Sequence, residues 1–299
     1  MCDPNLGYSP DLERDQRTYS SALVLLVGFS AMSAPSSQSV FPAFPSLRSR
    51  VVLVTGASSG IGAACARAFA ASGCRLIVLA RRADRLRALA AELATLGAEE
   101  VTEVVVDITN GQQVTEQLAA LPFAIRAVDV VIHSAGLGLG RDKLQDGVPA
   151  DWEDMIDTNV KGVLHVTHAV LPQMVQRDCG HIVHIGSVAG TQPYVGGAVY
   201  CATKAAVRMI NQCLKHDLLG TRVRVSSVDP GMVETEFSVV RFRGDAQRAK
   251  AVYSGMTPMS AEDVAEAVLF CVTRPAHVNV SEIVLLATDQ ASATTVHRR

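Results

Sequence analysis

A tyrosine and a lysine stand four residues apart in the run YCATK, which begins at Tyr200 and ends at Lys204. On a helix, residues at this spacing project from one face. The lysine ammonium can then stabilise the phenolate and lower the tyrosine pKa, ordinarily near ~10, towards neutral pH. Ser187, thirteen residues before the tyrosine, ends an apolar strand-like run and can hold a carbonyl or hydroxyl oxygen beside the phenol. These three residues predict acid–base chemistry at an oxygen of a small molecule.

A glycine-rich turn, TGASSGIG at 55–62, follows a short apolar run and precedes an alanine-rich helical pattern. Glycines in such a turn allow a pyrophosphate to approach the backbone, where its charge faces the amide groups of the helix N-terminus. The Gly-x-x-x-Gly-x-Gly spacing differs from the GxGxxG fingerprint, so the strand-turn-helix context carries this prediction. The residues expected to contact a dinucleotide are Gly56, Ala57, Ser58, Ser59, Gly60 and Ile61.

Two arginines, Arg81 and Arg82, follow the second apolar run, where the adenosine ribose of a dinucleotide should lie. A protein that binds NAD usually has an acid there, which accepts hydrogen bonds from the ribose hydroxyls. Two guanidinium groups would instead clamp a 2′-phosphate and leave no acceptor for a free 2′-hydroxyl. The sequence therefore favours NADP as the cofactor. The alternative is a solvated basic start of a helix, since Arg85 and Arg87 follow.

Short runs rich in Val and Ile recur along the chain, with helical patterns between them. We predict strands at 51–54, 75–80, 101–106, 128–132, 181–185, 223–228 and 283–286, and the first two helices at 61–72 and 84–96. Strands that are apolar on both faces need cover on both sides. The prediction is an α/β fold, a doubly wound parallel sheet of Rossmann type, in a single domain.

The composition narrows the function classes. The chain has 299 residues, of which 48% are hydrophobic and 19% charged, enough for a sizeable core. A net charge of -2 provides no broad basic surface for nucleic acid. No run approaches the ~20 apolar residues that span a bilayer. We therefore expect small-molecule chemistry, with neither a nucleic-acid nor a membrane partner.

Cysteine and histidine usage gives no sign of a metal site. Seven scattered cysteines without a CxxC pair argue for a reducing compartment and against a disulfide framework. The close pair His165 and His168 has no acidic or cysteine ligand nearby. In the pair His181 and His184, the odd offset sends the two rings to opposite faces of a strand. We predict packing or surface histidines and no bound metal.

The first 48 residues differ from the rest of the chain and are interpreted as a flexible N-terminal extension, with the catalytic domain at 49–299. Acidic residues outnumber basic ones before the first apolar run, which argues against a secretion signal and against a mitochondrial leader that starts at Met1. A chain that starts at Met32 would have a Ser-rich, acid-free leader. We expect a cytoplasmic location, and a mitochondrial one stays open for a start at Met32.

Residues 50–290 resemble the classical short-chain dehydrogenase/reductase family. Three features carry the resemblance: the TGASSGIG turn, the arrangement of Ser187, Tyr200 and Lys204, and the Pro230-Gly231 pair. The resemblance implies an NADP(H)-dependent enzyme that acts on a CH–OH group and moves hydride between the nicotinamide and a carbonyl or secondary alcohol. It also implies a homotetramer, because the segment 162–177 is similar to the helices that pair in family tetramers.

The same resemblance implies a catalytic tetrad. Asn159, in the run DTN, would hold a water that links to Lys204. Ser187 would orient the substrate oxygen and Tyr200 would be the acid or base. Lys204 would also hold the nicotinamide ribose. Since the hydride comes from the cofactor, the protein supplies orientation and proton transfer.

Further cofactor contacts follow from the resemblance. Asp107 and Ile108 would meet the adenine, and the nicotinamide amide would lie in the loop 230–235, against Pro230, Gly231, Val233 and Thr235. Ser134, Ala135 and Gly136 would line the cofactor. The chain has His133-Ser134 where the family usually has Asn-Asn, and a serine donates one hydrogen bond over a shorter reach. Weaker cofactor binding or an altered water arrangement is expected, with activity retained.

Less general segments resemble the NADP-dependent 3-hydroxy acid dehydrogenase branch of that family. They are DWE at 151–153 with MIDTN at 155–159, IGS at 185–187 with PY at 193–194, TEFS at 235–238 with VRF at 240–242, and PAHVN at 275–279. The resemblance implies a small 3-hydroxy or 3-oxo acid as substrate, of the class of serine, L-allo-threonine, 3-hydroxypropionate and malonic semialdehyde.

An arginine can bind the carboxylate of such a substrate through two hydrogen bonds, so we expect one in the substrate site. Arg241 and Arg243 follow the nicotinamide loop, and Arg241 is the first choice, with a surface arginine on a mobile lid as the alternative. Two other functions stay open. One keeps the fold and cofactor with a ketone, sugar, steroid or pterin as substrate. The other is a non-catalytic NADP-binding regulatory protein, which would have little need for the whole tetrad.

Overall fold

One parallel sheet of seven strands organises the structure, a computed structural model that describes residues 45–299. The strands are β1 Val51–Thr55, β2 Arg75–Ala80, β3 Glu100–Val105, β4 Val130–His133, β5 Gly180–Ile185, β6 Val223–Pro230 and β7 Glu282–Leu285. Their order is β3-β2-β1-β4-β5-β6-β7, and every pairing is parallel. Most of the predicted extension, including Met32, lies outside the described residues.

Helices cover both faces of this sheet. They are α1 Gly60–Ala71, α2 Ala83–Thr95, α3 Gly111–Ala119, α4 Phe123–Arg126, α5 Pro149–Ile156, α6 Gly162–Gln176, α7 Ala198–Asp217, α8 Glu236–Arg241, α9 Ala246–Ala251 and α10 Ala261–Val272. The start of α10 is fixed by a capping box, in which Ser260 and Asp263 exchange side-chain and backbone hydrogen bonds. Within the described range, no helix has the length and apolar character that crossing a bilayer requires.

The predicted α/β fold, a doubly wound parallel sheet of Rossmann type, is confirmed, and the predicted strands and first two helices lie within about two residues of the observed ones. The expectation that the strands are covered on both faces holds at the centre of the sheet and is wrong at its edges. All five residues of β1 are buried. By contrast, Val105 on β3 is 49% exposed and Val284 on β7 is 53% exposed, because an edge strand has a neighbour on one side only.

Two apolar clusters fill the space between the sheet and its helices. On one face, Val52 and Val54 of β1 pack with Phe69 of α1 and with residues of α2 and α10. On the other face, Val51 and Leu53 of the same strand pack with residues of α3 and α6. Alternate residues of one strand therefore anchor opposite layers, and the described residues form one compact unit.

The chain reverses its direction of travel across the sheet between β1 and β4, which are neighbours. In open α/β sheets, ligands bind outside the carboxyl ends of the strands at such a switch point. The glycine-rich turn, the two arginines, and the loops after β4, β5 and β6 all follow the carboxyl ends of strands. The topology thus gathers the predicted site residues along one edge of the sheet.

A π-helical segment, Asp157–Lys161, joins α5 to α6 without a break. A single wide turn of this kind inserts one extra residue and is frequent at functional sites. Its buried member is Asn159, which is 1% exposed. The bulge therefore turns the asparagine side chain in towards the loop that follows β4.

Candidate active site

The turn after β1 is built so that the backbone can approach a ligand and the loop after β4 at once. Gly56 has φ +65°, and a Cβ there would lie 2.7 Å from the Cα of Ala135. A Cβ on Gly62 would lie 2.4 Å from the carbonyl oxygen of Gly56. The buried Thr55 hydroxyl accepts hydrogen bonds from the amides of Ser134 and Ala135, both at 3.1 Å. A larger residue at Gly56 would separate the turn from that loop, and one at Gly62 would collide with the turn itself.

A cavity of about 280 Å³ runs along this turn. It is lined by most of the predicted cofactor residues: Gly56, Ser58, Ser59, Gly60, Ile61, Arg81, Arg82, Asp107, Ile108, Ser134, Ala135, Gly136 and Thr235. Ala57 differs from them and does not line the cavity. Its side chain is fully buried in the core, and its backbone N–H donates to the carbonyl oxygen of Leu79 at 3.3 Å. Its amide is therefore engaged by β2, and the cofactor contact at Ala57 stays a prediction.

The two arginines after β2 have different surroundings. Arg82 lies against the glycine-rich turn at 55–62, which we call the phosphate turn because a pyrophosphate is predicted there. It donates from Nη2 to the hydroxyls of Ser58 at 2.9 Å and Ser59 at 2.8 Å. Arg81 points to the other side of the cavity, where Nη1 lies 3.5 Å from Asp107. The guanidinium that adjoins the phosphate turn is thus that of Arg82.

Glu236, at the start of α8, closes the cavity from the opposite side. Its carboxylate accepts from Arg82 at 3.1 Å and from Arg85 at 2.5 Å. These hydrogen bonds, the one from Arg85 first, hold the pKa of the glutamate below its ordinary value. Arg85 is exposed and does not line the cavity, so it acts on the site only through this contact with Glu236.

His133, which stands where the family usually has an asparagine, turns away from the cavity. Its ring is buried, stacks on His184 with centroids 5.0 Å apart, and lies 2.9 Å from the Thr167 hydroxyl. Burial, followed by the neighbouring ring, places its pKa well below the ordinary value. Ser134 is the residue of this pair that lines the cavity, so it alone takes the position of a cofactor contact.

Tyr200 and Lys204 share one face of α7 and meet the residues after β5. The ammonium of Lys204 donates to the carbonyl oxygen of Ile185 at 2.8 Å. The Ser187 hydroxyl accepts from the amide of Ala189 at 3.1 Å and donates to the carbonyl oxygen of Pro230 at 3.5 Å, and its proximity acts to lower the Tyr200 pKa. Ser187, Tyr200 and Lys204 all line a second cavity, of about 210 Å³.

The pKa of Tyr200 differs from the expected one. Burial raises it to about 12, against the opposing effect of Arg241. Burial likewise lowers the pKa of Lys204 to about 8, against the opposing effect of Asp229. The expectation that Lys204 lowers the tyrosine pKa towards neutral pH is therefore wrong in this structure, since desolvation outweighs the nearby charges. Tyr200 is consequently a proton donor at neutral pH.

Asn159 is held by three hydrogen bonds. Its Oδ1 accepts from the amide of Leu137 at 2.8 Å, while Nδ2 donates to the carbonyl oxygen of Leu137 at 2.8 Å and to the Thr203 hydroxyl at 3.0 Å. A Cβ added to Gly136 would lie 3.3 Å from the asparagine Oδ1 and 3.7 Å from the Lys204 Nζ. The two side chains therefore face the same glycine. The water between them stays a prediction.

The loop after β6 forms the wall between the two cavities. Pro230, Gly231, Val233 and Thr235 line the second cavity, and Thr235 also lines the first. The Thr235 hydroxyl caps α8 by accepting from the amide of Phe237 at 3.2 Å. The loop therefore runs directly into the short helix that carries Glu236, Phe237 and Arg241.

Arg241 lies among aromatic rings inside the second cavity. Its guanidinium carbon is 4.8 Å from the ring centroid of Tyr200 and 4.9 Å from that of Phe237. Nη2 donates to the Tyr194 hydroxyl at 2.9 Å. Nε is buried and has no hydrogen-bond partner in the part of the chain that the structure describes. Arg241 is thus the cation beside the phenol.

Arg243 has a different position. It binds both carboxylate oxygens of Asp151 at the surface, each at 2.7 Å.

Comparison with known proteins decides the family: residues 50–245 match the family described as short chain dehydrogenase. The chain belongs to this family. The NADP-dependent 3-hydroxy acid dehydrogenase YdfG of Salmonella typhi is 46% identical over 250 residues, which are 83% of this chain and 99% of that protein. Sulfoacetaldehyde reductase 2 of Chromohalobacter salexigens is 47% identical over 244 residues, 81% of this chain and 96% of that protein.

Among solved structures, one described as the closed form of serine dehydrogenase complexed with NADP+ is similar to this short-chain dehydrogenase. It has a TM-score of 0.77 and 44% sequence identity, and the match covers 83% of this chain and 99% of that chain. The chain is therefore an oxidoreductase of the short-chain dehydrogenase family, with the fold predicted from its sequence.

Several residues of this dehydrogenase's site were not predicted. Tyr194, in the PY segment at 193–194, accepts a hydrogen bond from Arg241 through its hydroxyl. Phe237 packs against Tyr200, with ring centroids 5.5 Å apart. Gln290, far along the chain, accepts from the amide of Met232 at 2.9 Å. No short-range pattern marks these residues, because each acquires its partner through the packing of distant segments.

Proposed function

We propose that this short-chain dehydrogenase is an NADP-dependent oxidoreductase that transfers hydride between NADP(H) and a small 3-hydroxy or 3-oxo acid. The observation that carries the proposal is the placement of Arg241. Its guanidinium lies 4.8 Å from the ring of Tyr200, and its buried Nε has no hydrogen-bond partner among residues 45–299. An acid group on the substrate would supply the missing hydrogen-bond acceptor while its oxygen at C3 meets the phenol.

The residues after β1 and β2 fit a cofactor with a 2′-phosphate. Arg82 and the hydroxyls of Ser58 and Ser59 form one cluster of donors, with contacts of 2.8 to 3.1 Å among them. β2 ends in Ala80, without the acid that would accept from a free 2′-hydroxyl. Arg81 and Asp107 would meet the adenosine side of the cofactor. The names of the relatives, which include NADP-dependent enzymes, support the same choice.

When bound, NADP(H) supplies or accepts the hydride. The protein contributes position and proton transfer. In the direction of reduction, Ser187 donates a hydrogen bond to the substrate carbonyl oxygen, and Tyr200, protonated because burial raises its pKa to about 12, donates its proton to that oxygen. Lys204 holds the ribose, and Asn159 holds the water behind it. Oxidation of the alcohol uses the same groups in reverse.

The size of the second cavity favours a small substrate over a steroid or pterin. Its volume is about 210 Å³, whereas drug-sized ligands occupy sites of roughly 300 to 1,000 Å³. Its charge favours an acid over a neutral ketone, since Arg241 lies within it. Sulfoacetaldehyde reductase 2, at 47% identity, is named for a substrate that carries a sulfonate. A short sulfonate aldehyde is therefore the second candidate substrate, because its acid group would meet the same arginine.

Replacement of Arg241 by Gln tests this assignment. We expect the KM for a 3-hydroxy acid to rise by about 10- to 100-fold, since a hydrogen bond to a charged group contributes roughly 1.5–3 kcal/mol. The turnover of a matched secondary alcohol without the carboxylate should change little. The readout is steady-state oxidation with saturating NADP. Arg243→Gln is the matched control, because that arginine binds Asp151 at the surface. An unchanged KM for the acid in Arg241→Gln would remove the arginine from the substrate site.

We also propose a homotetramer that buries exposed apolar side chains. Leu164 and Val175 on α6 are 44% and 42% exposed, and Met209 on α7 is 58% exposed, although both helices otherwise pack onto the sheet.

The division into an extension at 1–48 and a catalytic domain at 49–299 is likewise our proposal. It is supported by matches that cover 96% or more of the relatives within about four fifths of this chain. The cytoplasmic location and the alternative start at Met32 stay predictions.

A further inference from the structure

Asp229 is a buried acid beside the active site that the proposed reaction does not use. It lies on β6 immediately before Pro230, and only 3% of its surface is exposed. Its Oδ1 accepts from the Ser227 hydroxyl at 2.5 Å. A carboxylate out of contact with water is costly unless a positive charge or several hydrogen bonds compensate for it. The structure must therefore provide a compensating charge close to this carboxylate.

The cation that lowers the pKa of Asp229 is Arg208 of α7, which opposes the larger effect of burial. The ammonium of Lys204 lies on the other side of one dipeptide from the same carboxylate. Lys204 donates to the carbonyl oxygen of Ile185 at 2.8 Å. The next residue is Gly186, where a Cβ would lie only 1.8 Å from the Asp229 Oδ1. The ammonium and the carboxylate thus flank the pair Ile185-Gly186, and any side chain at position 186 would displace the acid. Lys204 is itself 8% exposed and needs a counter-charge in turn.

We propose that Asp229 is a positioning residue for the reaction: its carboxylate is the counter-charge that holds the Lys204 ammonium in place and in its charged form. This inference rests on the proposed function, in which Lys204 holds the cofactor ribose behind Tyr200. Asp229 contacts neither the substrate nor the reacting atoms and acts through the lysine.

The surrounding groups leave this role to Asp229. Glu282 on β7 raises the pKa of Asp229 and is itself paired with Arg208 of α7 at 2.9 Å, whose charge opposes that effect on Asp229. On β5, His184 is buried, and burial above all lowers its pKa to about 4, so the ring is neutral at pH 7. The remaining neighbours of the lysine, Asn159 and Tyr200, carry no charge in this range. Within the described residues, Asp229 is the acid whose charge raises the pKa of Lys204.

The pH window follows from the two pKa values. Burial raises the pKa of Asp229 to about 6, so the carboxylate is charged above that pH. Burial lowers the pKa of Lys204 to about 8, so the ammonium is charged below that pH. The pair is therefore doubly charged between about pH 6 and pH 8. Removal of the carboxylate charge lowers the lysine pKa further, and activity is then lost from the basic side.

The experiment is the pH profile of kcat for the full-length Asp229→Asn variant, with NADP and a 3-hydroxy acid. A nearby opposite charge shifts a pKa by about one unit or more, so the basic limb should move down by about one unit. The loss relative to wild type should be about fivefold at pH 8 and nearly absent at pH 6. A profile that keeps its shape and is only scaled down would overturn the proposal, because a structural defect lowers activity at every pH.

Glu282→Gln is the matched variant, and it also serves if Asp229→Asn does not fold. It removes the neighbour that raises the pKa of Asp229, so the aspartate stays charged to lower pH and the basic limb should stay where it is in wild type. A downward shift of that limb in Glu282→Gln would contradict the proposal. The proposed function is tested separately, since wild-type turnover of the acid with NADP does not depend on either variant.

Discussion

Replacement of Tyr200 by Phe is expected to lower kcat by about a thousandfold, in both directions of the reaction, with little effect on NADPH binding. General acid–base catalysis contributes roughly 10²- to 10⁴-fold, and the phenol of Tyr200 lines the same cavity as Ser187, which is proposed to orient the substrate oxygen. The ring itself stays, so its contacts with Phe237 and Arg241 are kept. The measurement is single-turnover hydride transfer, together with the fluorescence titration of NADPH.

Cys213→Ser is the control on the same helix, since Cys213 is exposed and distant from the site. It should behave as wild type. If Tyr200→Phe kept more than a tenth of the wild-type kcat, another group would have to supply the proton. If it lost NADPH binding as well, the defect would be one of the cofactor site, and the assignment of Tyr200 as the acid would lose its support.

Replacement of Arg82 by Ala is expected to remove the preference for NADP. The side chain donates to Ser58 and Ser59 and stands where a 2′-phosphate would be bound. Loss of charge-assisted hydrogen bonds of roughly 1.5–3 kcal/mol predicts a fall in kcat/KM for NADPH of about 10- to 100-fold. The value for NADH should change by less than about threefold, because that cofactor has no 2′-phosphate. Steady-state kinetics with both cofactors measures the ratio.

Arg87→Ala is the matched control for this experiment, since Arg87 is exposed on the same helix and does not line the cofactor cavity. An equal loss with NADPH and NADH in Arg82→Ala would mean that the arginine only stabilises the phosphate turn. Glu236→Gln separates these two roles. It leaves Arg82 in place and removes the acid that binds it at 3.1 Å, so it should not reduce the affinity for NADPH.

The fold could be predicted from the sequence because each central strand is a short apolar run that must be covered on both sides. The catalytic residues could be located for a similar reason. Tyr200 and Lys204 are four residues apart on one helix, and Ser187 directly follows a strand. Their relative positions depend on local spacing and on the common edge of a parallel sheet.

Other parts of the site could not be read in this way. Whether Ala57 faces a ligand or the core depends on its hydrogen bond to Leu79 of a neighbouring strand. The pKa of Tyr200 depends on how completely the surrounding residues exclude water, which no local pattern specifies. The proposed role of Asp229 depends on its position on β6 beside Gly186, which lies 43 positions earlier in the chain.

A dehydrogenase whose substrate cavity contains Arg241 should select a small acid, with NADP as its cofactor. The decisive measurement is kcat/KM of the wild-type protein for a 3-hydroxy acid and for the alcohol of equal length that lacks the carboxylate, each with NADP and with NAD. We predict that turnover requires NADP and that the acid exceeds the alcohol by at least about tenfold, as expected for one charge-assisted pair. Equal values for the two substrates, or a preference for NAD, would contradict this prediction.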